Sequence, residues 1–186
     1  DEVRTYANLI FKGSFRVEEI IRNLNQLAST GKAAEKHSCH VKEAVDTTLE
    51  ILHETIKEGA VEIELDLPDD LQARANAGEL SQVVLNVVLN ALHAMECDAK
   101  LWIRAARLDD VVNIDVEDNG PGIPAEVQHQ IFDAFFTTKE QGKGTGLGLA
   151  VSQQMVMDSG GSLTLQPSEK GAHFRITLPV VDGHNA

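Results

Sequence analysis

Asn86 and Asn90 stand four residues apart in "ELSQVVLNVVLNALHAM", a run whose other positions are mostly apolar. On a helix that spacing puts both carboxamides on one face, with Gln82 and His93 extending the stripe. A buried asparagine must find partners or cost roughly 1–3 kcal/mol. Either the stripe faces solvent, or the amide oxygens face a pocket that holds a hydrated cation. Magnesium takes such hard oxygen ligands and keeps several waters, usually sharing them with phosphates.

A second group is "EDNGPGIP", Glu117 to Pro124. Asn-Gly after an alternating strand is first of all a hairpin signal. Here Pro121, Gly122 and Pro124 follow, and proline cannot pair in a central strand. The alternative is a glycine-opened exit that leaves the Asp118 carboxylate at the sheet's end. A carboxylate accepts from a donor such as an exocyclic amine, and glycines let a flat ring approach the backbone. The third group is "GKGTGLGL", with Gly142, Gly144, Gly146 and Gly148 at alternate positions. It matches neither a Walker loop nor a dinucleotide fingerprint. It is either a flexible surface loop or a row of free N–H groups leading into a helix near Gly146, where anionic oxygens are favoured. "FFTTKEQGKG" upstream supplies Lys139 and Lys143, and reads as a mobile flap able to close on phosphates.

These groups need elements to hold them. Helices are expected at about 42–58, from Gly78 to Met95, at 125–132 and at 147–157. "VEIELDL", "LQARAN", "LWIRAARL", "VVNIDVED", "GSLTLQP" and "AHFRITLP" read as strands, with a hairpin at Asp109-Asp110. Mixed order without regular βαβ units predicts an α+β fold, with one face of a mixed sheet covered by helices. Residues 1–29 repeat apolar positions every seven (Val3, Ile10, Val17, Leu24; Tyr6, Ile20, Leu27, with Gly13 filling the slot between Tyr6 and Ile20), a seam of the bundle or coiled-coil kind. Residues 30–40 are polar and aperiodic, as in a linker. The chain has 186 residues and a net charge of −13, which argues against nucleic acid or an anionic membrane as the main partner. A polyphosphate ligand would need backbone donors and a divalent cation. No run long enough to span a bilayer is present. Cys39 and Cys97 lack metal or redox spacing and read as free thiols.

The order of the motifs resembles the nucleotide-binding domain of sensor histidine kinases, in the GHKL superfamily of gyrase, heat-shock chaperone, histidine kinase and MutL. "NVVLNALHA" is similar to its asparagine box, "DNGPGIP" to its first glycine box, "IFDAFFTTK" to its phenylalanine box and "GKGTGLGLAVSQQMVMDSGG" to its second glycine box. The resemblance implies a two-layer α/β sandwich of the GHKL type with an N-terminal bundle helix, and ATP with Mg2+ as ligands. It implies that Asn90 ligates magnesium with Asn86 in support, and that Asp118 meets the adenine amino group. Gly120, Gly122 and Ile123 belong to the ring side. Gly144, Thr145, Gly146, Leu147, Gly148 and Leu149 belong to the phosphates, as do Lys139 and, by position, His93. Thr177 is assigned to the adenine edge through water. Lys139 matches the basic position of the FFTTK-type, nitrogen-regulation-like members.

The resemblance also implies what the chain lacks. ATPases of the gyrase and chaperone branches carry Glu one turn before the magnesium asparagine; here that residue is Asn86, a poor base, which fits transfer to a histidine. No phosphoacceptor histidine is found. His53-Glu54 continues without the expected proline and lies inside a nucleotide-domain helix, and His37, Cys39 and His40 read as solvated linker. The sequence is therefore expected to be a fragment: 1–32 the second helix of a dimerisation hairpin, 33–40 a linker, 41–182 the ATP-binding catalytic domain, and 183–186 a tail. Expected partners are the phosphoacceptor hairpin of a homodimeric parent and a response regulator, with no nucleic acid and no membrane contact. The expected location is the cytoplasm, whether or not the parent is anchored. Two alternatives are a non-catalytic ATP-sensing module and a serine kinase of the anti-sigma type.

Overall fold

The computed structural model describes residues 38–139 and 144–181. The seam over 1–29, most of the linker, Lys143 and the tail lie outside the described residues. In chain order the elements are β1 (Ser38–His40), α1 (Val41–Ile51), α2 (His53–Glu58), β2 (Glu62–Asp66), β3 (Gln72–Arg74) and α3 (Ala77–Ala94). They continue with β4 (Lys100–Leu108), β5 (Val111–Asp118), α4 (Gly148–Asp158), β6 (Ser162–Gln166) and β7 (His173–Pro179).

Five strands form one mixed sheet in the order β2-β4-β5-β7-β6, with β2 parallel to β4 and the other pairs antiparallel. Alternation decides its faces. Leu101, Ile103 and Ala105 of β4, Val112, Ile114 and Val116 of β5, and Phe174, Ile176 and Leu178 of β7 are buried. The residues between them, such as Asn113, Asp115, Arg175 and Thr177, carry the polar groups of the opposite face. Continuing the inward set of β5 by two residues reaches Asp118, so the strand's own period turns a carboxylate into the core side.

Helix α3 is apolar around most of its circumference, as a helix buried on several sides must be. Leu80, Val83, Val84, Val87 and Val88 are buried, and the helix packs between α1 and α4. Its start is capped by the Asn76 side chain, which accepts from the Glu79 N–H at 3.1 Å. No helix among the described residues is long and apolar enough to cross a membrane.

Three local expectations change. Ser38–His40 is a strand rather than linker, paired antiparallel with β3, and it places Cys39 in the core. The single helix expected over 42–58 breaks at Leu52. Thr47 and Thr48 donate their hydroxyls to the carbonyls of Glu43 and Ala44 one turn back, a bond that bends helices. Residues 125–132 form successive turns instead of a helix. Val127, Gln130 and Asp133 each donate to the carbonyl three residues earlier, and Phe135 N–H ties the far end to Gly146 O at 2.8 Å.

Candidate functional site

A cavity of about 670 Å³ opens between α3, the start of α4, the end of β5 and the segment from Gly122 to Lys139. That volume suits a small-molecule ligand.

At its sheet end lies Asp118, 3% exposed. One of its oxygens, Oδ1, accepts from Gly120 N–H at 2.8 Å and Ala172 N–H at 3.2 Å. Its backbone N–H donates to Ala172 O at 3.0 Å. Burial pushes the Asp118 carboxyl above its ordinary pKa, against the pull of the two amide donors. Both amides use the same oxygen, so Oδ2 is the acceptor left for a ligand.

On α3, about two turns before its C-terminal end, stands Asn86, 5% exposed. Its Nδ2 donates to Gly148 O at 3.2 Å and to Ser152 Oγ at 2.9 Å, and its Oδ1 accepts from Gln82 at 3.1 Å. Asn86 is thus a clamp between α3 and α4. Its oxygen is turned to Gln82 rather than to a cation, which corrects the expectation that both carboxamide oxygens face one. Asn86→Ala removes both donations across the helix pair and is expected to destabilise the protein by about 2 kcal/mol. Urea unfolding should show a larger loss than for Asn90→Ala; equal losses would refute the clamp.

Asn90, one turn on and half-exposed, does face a cation. Lys139 Nζ donates to Asn90 Oδ1 at 3.3 Å and lies 3.2 Å from His93 Nδ1. Desolvation in the cavity wall, and then the Lys139 charge, hold the His93 pKa below its ordinary value. The start of α4, flanked by Leu147, has no side-chain cap, and Gly148 and Leu149 line the cavity. An uncapped helix start leaves N–H donors for an anion.

A family model described as "Histidine kinase-, DNA gyrase B-, and HSP90-like ATPase" matches residues 75–182. The chain belongs to this ATPase family. The two-component sensor PprA of Pseudomonas aeruginosa is 36% identical over 173 residues, covering 89% of this chain and 19% of PprA. The chain spans between 14% and 39% of the length of such curated relatives. Among solved structures, the nucleotide-free catalytic domain of histidine kinase ThkA superposes with a TM-score of 0.72 at 29% identity, covering 79% of this chain and 97% of that one. ThkA in complex with the response regulator protein TrrA gives 0.76 at 26% identity, covering 95% and 51%. Full-length ShkA in complex with AMPPNP gives 0.78 at 25%, covering 97% and 39%.

Within this ATPase domain the cavity gathers most of the residues picked from sequence: Asn86, Asn90, His93, Asp118, Gly122, Ile123, Lys139, Gly144, Thr145, Gly146, Gly148 and Leu149. Three stand apart from the lining. Gly120 serves through its N–H to Asp118. Leu147, 2% exposed, is core. Thr177 points to the opposite sheet face, where its hydroxyl bonds Asn113 Oδ1 at 2.8 Å, so it has no path to the cavity. Ala172 and Phe174 of the floor, and Pro124, Val127 and Ile131 of the wall, line the cavity in addition to the residues picked from sequence. Ala172 acts through its backbone and carries no side-chain signal. Phe174 was legible from the alternation of β7.

Proposed function

We propose that this chain is the ATP-binding catalytic part of a two-component sensor histidine kinase, which transfers the γ-phosphate of ATP to a histidine supplied by another segment of the parent protein. One observation carries the reading. Among the described residues lining the cavity, Asp118 is the sole carboxylate, and it sits at the sheet end beside the last turn of α3. The α4 start lies beside Asn86, two turns back along α3, or about 12 Å. At that end the residue one turn before Asn90 is an amide whose oxygen accepts from Gln82, so no carboxylate base stands at that position to activate water. An imported imidazole needs no such base, because its ring nitrogen is itself the nucleophile and ADP leaves.

In this reading Asp118 Oδ2 accepts the adenine amino group, and Gly122 and Ile123 flank the ring. The backbone from Gly144 to Gly146, with Gly148 and Leu149, meets the phosphates, and Lys139 and His93 stand beside them. The Asn90 oxygen fits a magnesium ion, since it already faces a cation and such an ion draws its remaining ligands from phosphate and water. Bound there, magnesium neutralises phosphate charge. Phe135 to Lys139 support the FFTTK-type, nitrogen-regulation-like class. Residues 1–32 we assign to the second helix of the dimerisation hairpin of a homodimeric parent. A response regulator is the onward acceptor, a role supported by the ThkA–TrrA pair, and the cytoplasm is the location of this segment.

Calorimetry with Mg-ATP, followed by phosphate transfer to a separately supplied hairpin domain, tests the reading. Binding and histidine phosphorylation are expected; binding without transfer would leave an ATP-sensing module in its place. Asn90→Ala is expected to weaken Mg-ATP by tenfold or more, on the order of a lost metal-site contact, while binding in EDTA stays the same. An equal loss with and without metal would remove Asn90 from the magnesium site.

A further inference from the structure

Lys139 holds the place that a ligand's metal ion would have to take. Its ammonium reaches two groups of α3 at once, Asn90 Oδ1 at 3.3 Å and His93 Nδ1 at 3.2 Å. Asn90 and His93 are three residues apart, so a helix presents them side by side. Lysine only donates, so His93 Nδ1 must be the acceptor, with the ring neutral and its hydrogen on Nε2. The same amide oxygen is the one a hard divalent ion would use, and a dication and an ammonium repel each other at that range.

We propose that Lys139 and the magnesium ion are alternative occupants of the Asn90 carboxamide, and that His93 is the positioning residue that keeps the ammonium there until a metal–nucleotide complex arrives. This rests on the nucleotide reading above. Loading is then an exchange of cations: magnesium takes Asn90, and Lys139 moves off with its charge toward the phosphates. Lys139 therefore opposes the metal while favouring the anion. A lysine that merely touched phosphate would also favour the more anionic metal-free ligand. Releasing such a lysine from His93 would then lower the advantage of magnesium, whereas releasing it from Asn90 raises that advantage.

The test uses ADP as the probe, titrated with and without magnesium into the 186-residue chain and its Lys139→Met, His93→Ala and double variants. Lys139→Met is expected to raise the ratio of ADP affinity with magnesium to that without it by roughly threefold or more, the size of one ordinary hydrogen bond. His93→Ala should move the ratio the same way in the parent chain and leave it unmoved in the Lys139→Met background. An unchanged ratio in Lys139→Met overturns the exchange. A His93→Ala effect that persists without Lys139 overturns the positioning role. Failure of the parent chain to bind ADP under either condition overturns the nucleotide reading itself, and this proposal with it.

Discussion

Replacing Asp118 by asparagine is expected to weaken ATP binding by about 1.5–3 kcal/mol, roughly ten- to a hundredfold, with no loss of stability in the empty protein. The asymmetry of the carboxylate makes the two effects separable. Both structural donors, Gly120 N–H and Ala172 N–H, use Oδ1. An asparagine can set its own Oδ1 there and keep both bonds. Its NH2 then replaces Oδ2 on the cavity side and meets the adenine amino group donor to donor. The pH dependence has a definite sign. Asp118 has a raised pKa in the folded protein because burial disfavours its charge. The folded state therefore holds the proton more tightly than the unfolded one, and the wild type loses stability as pH rises from the ordinary carboxylate value through the folded one. Asparagine escapes that loss. The melting temperature of the variant should match the wild type in acid, below the ordinary carboxylate value, and exceed it near neutrality. An Asp118→Asn chain that bound ATP normally would end the adenine assignment. One that was less stable at neutral pH would show that the charge, rather than its burial, governs the fold here.

Much of this site was readable in the sequence because its strongest signals are periodic. The two-residue period of "VVNIDVED" sends Asp118 inward with Val112, Ile114 and Val116. The four-residue spacing of Asn86 and Asn90 puts both on the cavity side of α3. Spacing could not tell the two apart. What separates them is α4, whose Gly148 and Ser152 claim the Asn86 amide from more than sixty residues away. The same limit hid Ala172, whose contribution is an N–H presented by the chain's path into β7. Thr177 is a different kind of miss. Phe174, Ile176 and Leu178 already marked the inward set of β7, and a threonine between them had to face outward. Over 125–132, composition permits a helix, and the tether of Phe135 to Gly146 belongs to tertiary structure.

The path into β7 also sets the largest stability effect. Gly171 has φ +77, and a methyl group there would lie 1.7 Å from the Asp118 carbonyl oxygen and 2.8 Å from Asp118 Oδ1. Neither neighbour can retreat cheaply. The Asp118 carbonyl is the end of a central strand, and its Oδ1 is held by two amides. Gly171→Ala is therefore expected to cost about 3 kcal/mol or more, near 10 °C in melting temperature for a domain of this size. Gly160 is the control. It has nearly the same φ, +78, but within 4 Å a methyl there meets only Pro179 Cγ at 3.6 Å and Arg74 Nη2 at 3.8 Å. Gly160→Ala should show the backbone penalty alone, about 1 kcal/mol. The excess at Gly171 then measures how tightly the start of β7 is pressed against Asp118. That closeness is what lets Ala172 N–H reach Oδ1 of the buried carboxylate, so that Oδ2 is left as the acceptor for a ligand. If both substitutions cost the same, the chain entering β7 is not pressed against Asp118, and close packing is not what supports the acceptor at the sheet end of the site.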